Sequence, residues 1–265
     1  MRLKKILAGS NILRAIMFPV LRHLDFKIKV KHDITKRPLT LLSWSHKGYW
    51  YYGSSREEKE IERFRELIDK GMVVLEIGGH IGYVTQLFEE LVGEHGKVYV
   101  AEPFPYSQYF LKKNVLPSTC VLPIALSDTV GRSEFYTDSF GGFTNSLVCE
   151  FTTKSNASMS LSQKKRGITL GKSEVDTTTV DDLCEDLSIS PNFIKIDVEG
   201  AELSVLKGAK NTLESVDSLM VEISRNHEDV FRLLRDCGFR ATSKNGEIIK
   251  KSENNNENIF FSRYN

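Results

Sequence analysis

Two stretches of this chain set acids and glycines at spacings that chemistry uses. The first is Val73-Val-Leu-Glu-Ile-Gly-Gly-His-Ile-Gly-Tyr-Val-Thr85, an apolar strand that runs through an acid into a glycine turn and then a helix. Gly78 and Gly82 permit that turn and let a ligand approach the backbone at the helix N-terminus. A nicotinamide-cofactor fingerprint needs G-x-G-x-x-G, and His80 stands at its third position, so the dinucleotide reading weakens. What remains is Glu76, Gly78, Gly79-His80 and Gly82. An acid at a strand end suits a ligand ammonium, which a phosphate-binding loop would not want.

Twenty residues after Gly82 the next apolar run, Val98-Tyr-Val-Ala-Glu102, ends in a carboxylate. At that place a ribose diol can donate two hydrogen bonds to Glu102. An amino-acid ammonium and a ribose in one molecule describe S-adenosylmethionine. A third strand, Cys120 to Ala125, is expected to flank the adenine, with Ala125 and Leu126 supplying amide and apolar contact.

The second stretch is Asn192-Phe-Ile-Lys-Ile-Asp-Val-Glu-Gly200. Strand side chains alternate, so Asp197 and Glu199 fall on one side of the extended chain, and Gly200 permits the turn into a helix. Such carboxylates at the end of a sheet strand are placed to orient a hydroxyl and take its proton. His227, after the strand Val221-Glu222-Ile223, is a second candidate base, and Glu222 a candidate for binding substrate. The plainer roles are helix capping for Asp197 and Glu199 and a first-turn position for His227. Asp197, Glu199, Glu222 and His227 together are a weak metal signal, and no metal is assigned.

Around these stretches short apolar runs alternate with helical ones. Met72 to Ile77, Lys97 to Ala101, Cys120 to Ala125, Phe193 to Ile196 and Ser218 to Ile223 read as strands; Tyr83 to Leu91, Pro105 to Asn114, Glu202 to Leu213 and Glu228 to Cys237 read as helices. Continuously apolar strands alternating with helices indicate an α/β fold, a mostly parallel sheet covered on both faces. Phe239 to Lys250 and Ile259 to Arg263 read as a closing antiparallel edge pair. Residues 138 to 180 lack a strong period and read as an insertion or loop of the domain spanning 51 to 265.

The chain's 265 residues carry 36 Lys plus Arg against 35 Asp plus Glu, a net charge of +1. That balance conceals an asymmetry: residues 1 to 50 hold eleven basic side chains and two acidic ones. Leu3, Ile6, Leu7, Leu13, Ile16, Met17 and Val20 recur at near-helical spacing there, and Pro19 is expected to end or bend the helix. Strands follow at Phe26 to Val30 and Leu39 to Ser45, then a capped helix between Ser54 and Asp69. A basic amphipathic helix can lie on an anionic membrane, but more often packs on its own domain or on a second copy in a homodimer. No signal-peptide pattern or membrane span is evident. Cys120, Cys149, Cys184 and Cys237 show no metal or redox spacing and read as reduced, buried thiols of a cytoplasmic protein, with peripheral contact at the inner membrane surface open to the helix.

Taken in order, Val73 to Thr85, Glu102-Pro103, Ala125-Leu-Ser-Asp128, Asn145-Ser-Leu147, Thr179-Val-Asp-Asp-Leu183, Ile194-Lys-Ile-Asp-Val-Glu-Gly-Ala-Glu202 and Val205-Leu-Lys-Gly-Ala209 resemble the FkbM family of S-adenosylmethionine-dependent methyltransferases. The resemblance implies a class I methyltransferase, Rossmann-like doubly wound sheet of seven strands with an antiparallel last strand. It also implies O-methylation of a saccharide, glycan or natural-product hydroxyl, with Asn145 and Ser146 on the acceptor side. Glu76 stands where the family usually has Asp, and Gly79-His80 where it has Ala-Asn. A nucleic-acid methyltransferase fits poorly, because the fourth strand ends in Asp-Val-Glu-Gly rather than in an aromatic that stacks a flipped base. A non-catalytic cofactor-binding protein of the same fold is the other alternative.

Overall fold

A computed structural model describes residues 10–52, 57–138, 145–149, 170–249 and 257–263 of the chain. Leu3, Ile6 and Leu7 of the expected N-terminal helix, most of the expected loop at 138 to 180 and the polar turn after Lys250 lie outside them. The chain divides into two compact units, Met1–Glu58 and Lys59–Asn265.

In the first unit, helix α1 (Asn11–Leu24) is capped by Ser10, whose hydroxyl accepts from the Leu13 amide at 3.3 Å. It runs through Pro19 and stops only at Asp25, in the left-handed region (φ 34°). Of the two expectations for the proline, an end or a bend, the first is thus corrected. Phe18 is edge-on to Trp44 and Tyr51, at 5.5 and 5.4 Å between ring centroids, which anchors the helix at the residue before the proline. Strands β1 (Lys27–Lys31) and β2 (Pro38–Leu42) form an antiparallel pair. The Asp25 carboxylate accepts from the Trp44 and Ser45 amides at 2.7 and 3.2 Å, tying the helix end to the turn after β2. A π-helical turn at Gly48–Tyr52 completes the unit.

The second unit opens with helix α2 (Glu58–Leu67). Strand β3 (Val73–Ile77), helix α3 (Tyr83–Val92), strand β4 (Lys97–Ala101), helix α4 (Pro105–Asn114) and strand β5 (Cys120–Leu122) follow in βαβαβ succession. Next come β6 (Ala125–Leu126), β7 (Gly131–Asp138), β8 (Leu170–Thr178), helix α5 (Val180–Leu187) and β9 (Phe193–Ile196). The chain continues with helices α6 (Glu202–Lys207) and α7 (Thr212–Ser215), strand β10 (Ser218–Ile223), helix α8 (His227–Asp236) and strands β11 (Phe239–Thr242) and β12 (Glu257–Arg263).

Seven strands form one sheet in the order β11-β12-β10-β9-β3-β4-β5. All neighbouring pairs are parallel except those of β12, which is antiparallel to both β10 and β11. This is the doubly wound, class I arrangement that the sequence implied. On one face Leu75, Ile77, Ile194, Ile196, Val221 and Phe261 meet Val180, Leu206 and Leu234 of the covering helices. The opposite face carries Phe193 and Phe260, closed by Phe64 of α2 and Phe88 of α3, with Phe64 at 5.0 to 5.9 Å from the other three rings.

Several expectations give way. The strand read as Cys120 to Ala125 is cut by Pro123, which has no amide to donate to a ladder, and Ala125–Leu126 joins a separate three-stranded sheet, β6-β8-β7. The C-terminal part of the expected loop is strand β8, paired along its whole length with β7. Its polar sequence hid it, because Arg132 bridges to Glu174 and Asp176 while Lys172 pairs with Glu134, so exposed ion pairs stand where apolar alternation would otherwise appear. The closing pair is antiparallel, but β12 lies inside β11, and Phe239–Thr242 is the edge. The helix read over Glu202 to Leu213 splits at Gly208, where a Cβ would sit 2.1 Å from the Ser127 carbonyl oxygen; Asp181 then receives the Asn211 and Thr212 amides at 2.9 and 2.8 Å to start α7. Of the four cysteines only Cys184 is buried, and Cys149 is exposed.

Phe64 joins α2, α3, β9 and β12 through one ring. Phe64→Ala is expected to lower unfolding stability by about 3–5 kcal/mol in a urea titration, the cost of deleting a fully buried aromatic.

Candidate functional site

The carboxyl ends of β3, β4, β9 and β10 meet at one crevice rim, where open α/β sheets bind ligands. The turn after β3 is fixed by how closely its neighbour approaches. Gly78 has φ 89°, and a Cβ there would stand 1.8 Å from the Asp197 carbonyl oxygen, so only glycine fits against the end of β9. At Gly79 a Cβ would strike Val100 at 2.1 Å, and Gly82 (φ 83°) is the N-cap of α3. His80 takes a left-handed conformation, φ 46°, between them.

That conformation turns the His80 amide toward Glu102, whose Oε2 accepts it at 2.8 Å while Oε1 accepts the Phe104 amide at 2.9 Å. Glu102 is 6% exposed. Burial pushes its carboxyl up to about 7 against the pull of the Phe104 and His80 amides. Each carboxylate oxygen keeps a second lone pair, so the two-point diol contact expected of Glu102 remains available.

Glu76 is not placed as the sequence implied. It is 1% exposed and accepts from the Thr85 hydroxyl at 2.5 Å, with the Lys195 ammonium 3.6 Å from its other oxygen. The chain's own lysine is the ammonium that Glu76 faces. Lys195 is in register with Glu76 across the β3–β9 ladder and two residues from Asp197, so alternation puts all three on one face. Its Nζ lies 2.9 Å from Asp197 Oδ2 and 3.3 Å from the Gly78 carbonyl oxygen. Burial works against the charge on Lys195, but Asp197 and Glu76 outweigh it and hold the ammonium above the ordinary lysine range. For Asp197 burial also pulls toward protonation, and Lys195 with a hydrogen bond from Glu222 holds it below its ordinary range. For Glu76 burial prevails over Lys195 and Thr85 and pushes the carboxyl up.

The next strand extends the row. Val221 is opposite Ile196, which brings Glu222 beside Asp197. The Asp197 charge, then burial, then Glu199 push the Glu222 carboxyl up to about 10, so Glu222 is the protonated donor of the pair. The carboxyl group that hydrogen-bonds Asp197 directly is thus Glu222. Glu199 stands in the turn beyond, in the left-handed region (φ 54°), with its carbonyl oxygen accepting from the Ser146 hydroxyl at 2.6 Å. Ser146 is fully buried and also accepts the Val148 amide at 2.9 Å, which ties the 145–149 segment to the Glu199 turn. Asn145 precedes it, half-buried. His227 is the first residue of α8, half-buried.

Ala125 and Leu126 are buried in β6, opposite Thr177 and Thr178. Ala125 packs with Phe135, Val175 and Phe104 and so backs the Glu102 turn from behind. Sequence reasoning also passed over Lys195, Thr85 and Glu202. Glu202 Oε1 accepts from the Gly200 amide at 2.7 Å and from the Ser224 hydroxyl at 2.9 Å, fixing the turn after β9 to the end of β10. A signal for Lys195 was present: Phe-Ile-Lys-Ile and Val-Leu-Glu-Ile each hold one charge inside a buried strand, and buried charges require partners. Among the described residues no group of His, Cys, Asp and Glu is arranged to hold a metal ion.

Comparison with known proteins follows the same lines. Among curated proteins, the hexuronic acid methyltransferase AglP of Haloferax volcanii is 42% identical over 72 residues, 26% of this chain and 30% of the relative. The match thus spans less than a third of that protein's length. Among solved structures, a SAM dependent methyltransferase from Aquifex aeolicus superposes with a TM-score of 0.40 at 16% identity, covering 78% of this chain and 90% of that one. A precorrin-6y C5,15-methyltransferase from Geobacter metallireducens gives 0.43 at 11% identity, covering 78% and 87%. Likenesses this distant carry no functional weight. The model of the Methyltransferase FkbM domain, however, matches residues 76–241, from the Glu76 turn to the last helix and its following strand. With the glycine turn, the Glu102 carboxylate and the Asp-Val-Glu-Gly turn all inside that span, the chain belongs to the FkbM methyltransferase-domain family, whose cofactor is S-adenosylmethionine.

Proposed function

We propose that this chain methylates a hydroxyl of a saccharide-type acceptor, with S-adenosylmethionine seated over the Gly78–Gly82 turn. The observation that carries the reading is the row Glu76, Lys195, Asp197 and Glu222, in which Asp197 is the ionised carboxylate and its backbone lies against that turn. The residues suit the cofactor by their chemistry: beside the glycine turn, Glu102 keeps lone pairs for a ribose diol. When bound, the cofactor supplies a methyl group already activated by its sulfonium.

The protein's task is to align a hydroxyl and to take away its proton. Asp197 stays ionised because Lys195 and Glu222 both donate toward it. It orients the hydroxyl through an accepted hydrogen bond and receives the proton as the oxygen becomes acidic. Glu222, kept neutral by the charges of Asp197 and Glu199, adds no second negative charge and orients Asp197 by its donated hydrogen bond. Glu202 and Ser146 hold the turn that carries Glu199 from its two ends, so the distance between cofactor and hydroxyl is set by the fold rather than by the substrate. A saccharide acceptor draws support from the curated relative, whose name states a hexuronic acid.

Transfer of labelled methyl to oligosaccharides containing hexuronic acid tests the reading. Label that survives mild alkali marks an ether at a hydroxyl; label released as methanol marks a carboxyl ester and would overturn it. Asp197→Asn should lower turnover by about 10²–10⁴-fold while cofactor affinity stays within about threefold, and an unaltered turnover would remove Asp197 as the base.

Glu102 gives a second check. The form that accepts from a diol is the ionised one, and in the free protein its carboxyl titrates at about 7. Cofactor affinity should therefore be level above about pH 8 and weaken toward about tenfold per unit below pH 7, measured by calorimetry. Glu102→Gln should weaken binding about 10- to 100-fold and flatten that dependence.

A further inference from the structure

Cofactor and acceptor chemistry leave the first unit unexplained, and its helix has an unusual distribution of side chains. α1 is attached to its unit by Phe18, which meets Trp44 and Tyr51, and by Leu21, which is buried. On another side of the same helix Ile12 (74% exposed), Ile16 (60%), Val20 (51%) and Leu24 (62%) recur every four residues and face outward. Leu13 borders this stripe, and Phe26 continues it just past the helix end. These apolar groups are therefore not the face by which the helix folds.

The charge around the stripe is of one sign. Arg22 and His23 lie in the last turn, and Lys27, Lys29 and Lys31 share the exposed side of β1, which begins three residues after the helix. Of the two acids among the first fifty residues, Asp25 spends its carboxylate on the Trp44 and Ser45 amides, so it does little to offset the lysines. An apolar stripe bordered by cations matches an anionic lipid surface, where the apolar groups enter the acyl boundary and the cations meet headgroups. A second copy of this chain would bring the same lysines against themselves, which like-charge repulsion disfavours. A nucleic acid would satisfy the lysines but leave the aliphatic stripe in water.

We propose that the Ile12–Ile16–Val20–Leu24 stripe of α1, with Lys27, Lys29 and Lys31, docks this protein on an anionic bilayer. The contact is interfacial: no described helix is long and apolar enough to cross a membrane. The stripe supplies depth and the lysines supply selectivity for charge, so attachment is reversible and depends on salt.

Sedimentation of the full chain with vesicles tests this, using phosphatidylcholine alone and phosphatidylcholine with about 30% phosphatidylglycerol, at low and high salt. The expected result is binding to the anionic vesicles that falls about tenfold between about 0.05 and 0.5 M NaCl, with little binding to the neutral ones. Ile16→Glu/Val20→Glu should abolish binding, and Lys27→Gln/Lys29→Gln/Lys31→Gln should weaken it about tenfold, both with unchanged circular dichroism and cofactor affinity. Failure of the wild-type chain to bind anionic vesicles overturns the proposal, as does undiminished binding by Ile16→Glu/Val20→Glu. A wild-type dimer in sedimentation equilibrium that the same variant dissociates, without vesicle binding, assigns the stripe to a second copy instead.

Discussion

Lys195 stands inside a parallel sheet with 3% of its side chain exposed, and an ammonium in that place exists only because two carboxyl groups and a carbonyl surround it. Burying charge in this way is expensive, and taking one partner from a buried ion pair costs about 3–5 kcal/mol. The arrangement thus binds three separate pieces of the fold to one another. Glu76 belongs to β3, Lys195 to β9, and Asp197 to the turn beyond β9, while Thr85 brings in the first turn of α3. A displacement of the β3 turn or of the Asp197 carboxylate would be felt at the same nitrogen atom.

The backbone makes the same connection by sterics. Gly78 lies so close to the Asp197 carbonyl that a single methyl group would fill the space between the β3 turn and the end of β9. The β3 turn and Asp197 are therefore built against each other without a movable layer between them. Where reactions depend on alignment of two bound molecules, a shared rigid wall places both at once. Glu202 and Ser146 extend this wall on the outer side, each by a hydrogen bond to the backbone of the Glu199–Gly200 turn.

Much of this was readable from residue types alone. Five parallel strands stood out as short apolar runs, and the glycine turn and Glu102 could be located because strand, turn and helix follow in fixed order. What escaped was whatever depended on partners distant in sequence. Glu76 read as a ligand group since nothing local reveals that Lys195, 119 positions on, lies opposite it in the ladder. The bond from the Ser146 hydroxyl to the Glu199 carbonyl, 53 positions on, was equally invisible. Strand β8 was hidden because its exposed face carries the ion-paired Lys172, Glu174 and Asp176, and its inner face offers one large apolar side chain, Val175. The split of the third strand was visible in Pro123, but a proline's lost donor matters only once the sheet it fails to join is known.

The position of β12 has a consequence for how the sheet comes together. It follows β11 in the chain yet lies between β11 and β10, and supplies both of their antiparallel seams. β11 therefore has no place in the sheet until the later strand arrives, and β10 keeps a bare edge for the same interval. One seven-residue segment thus acts as a keystone, because β11 is joined to the sheet only through it.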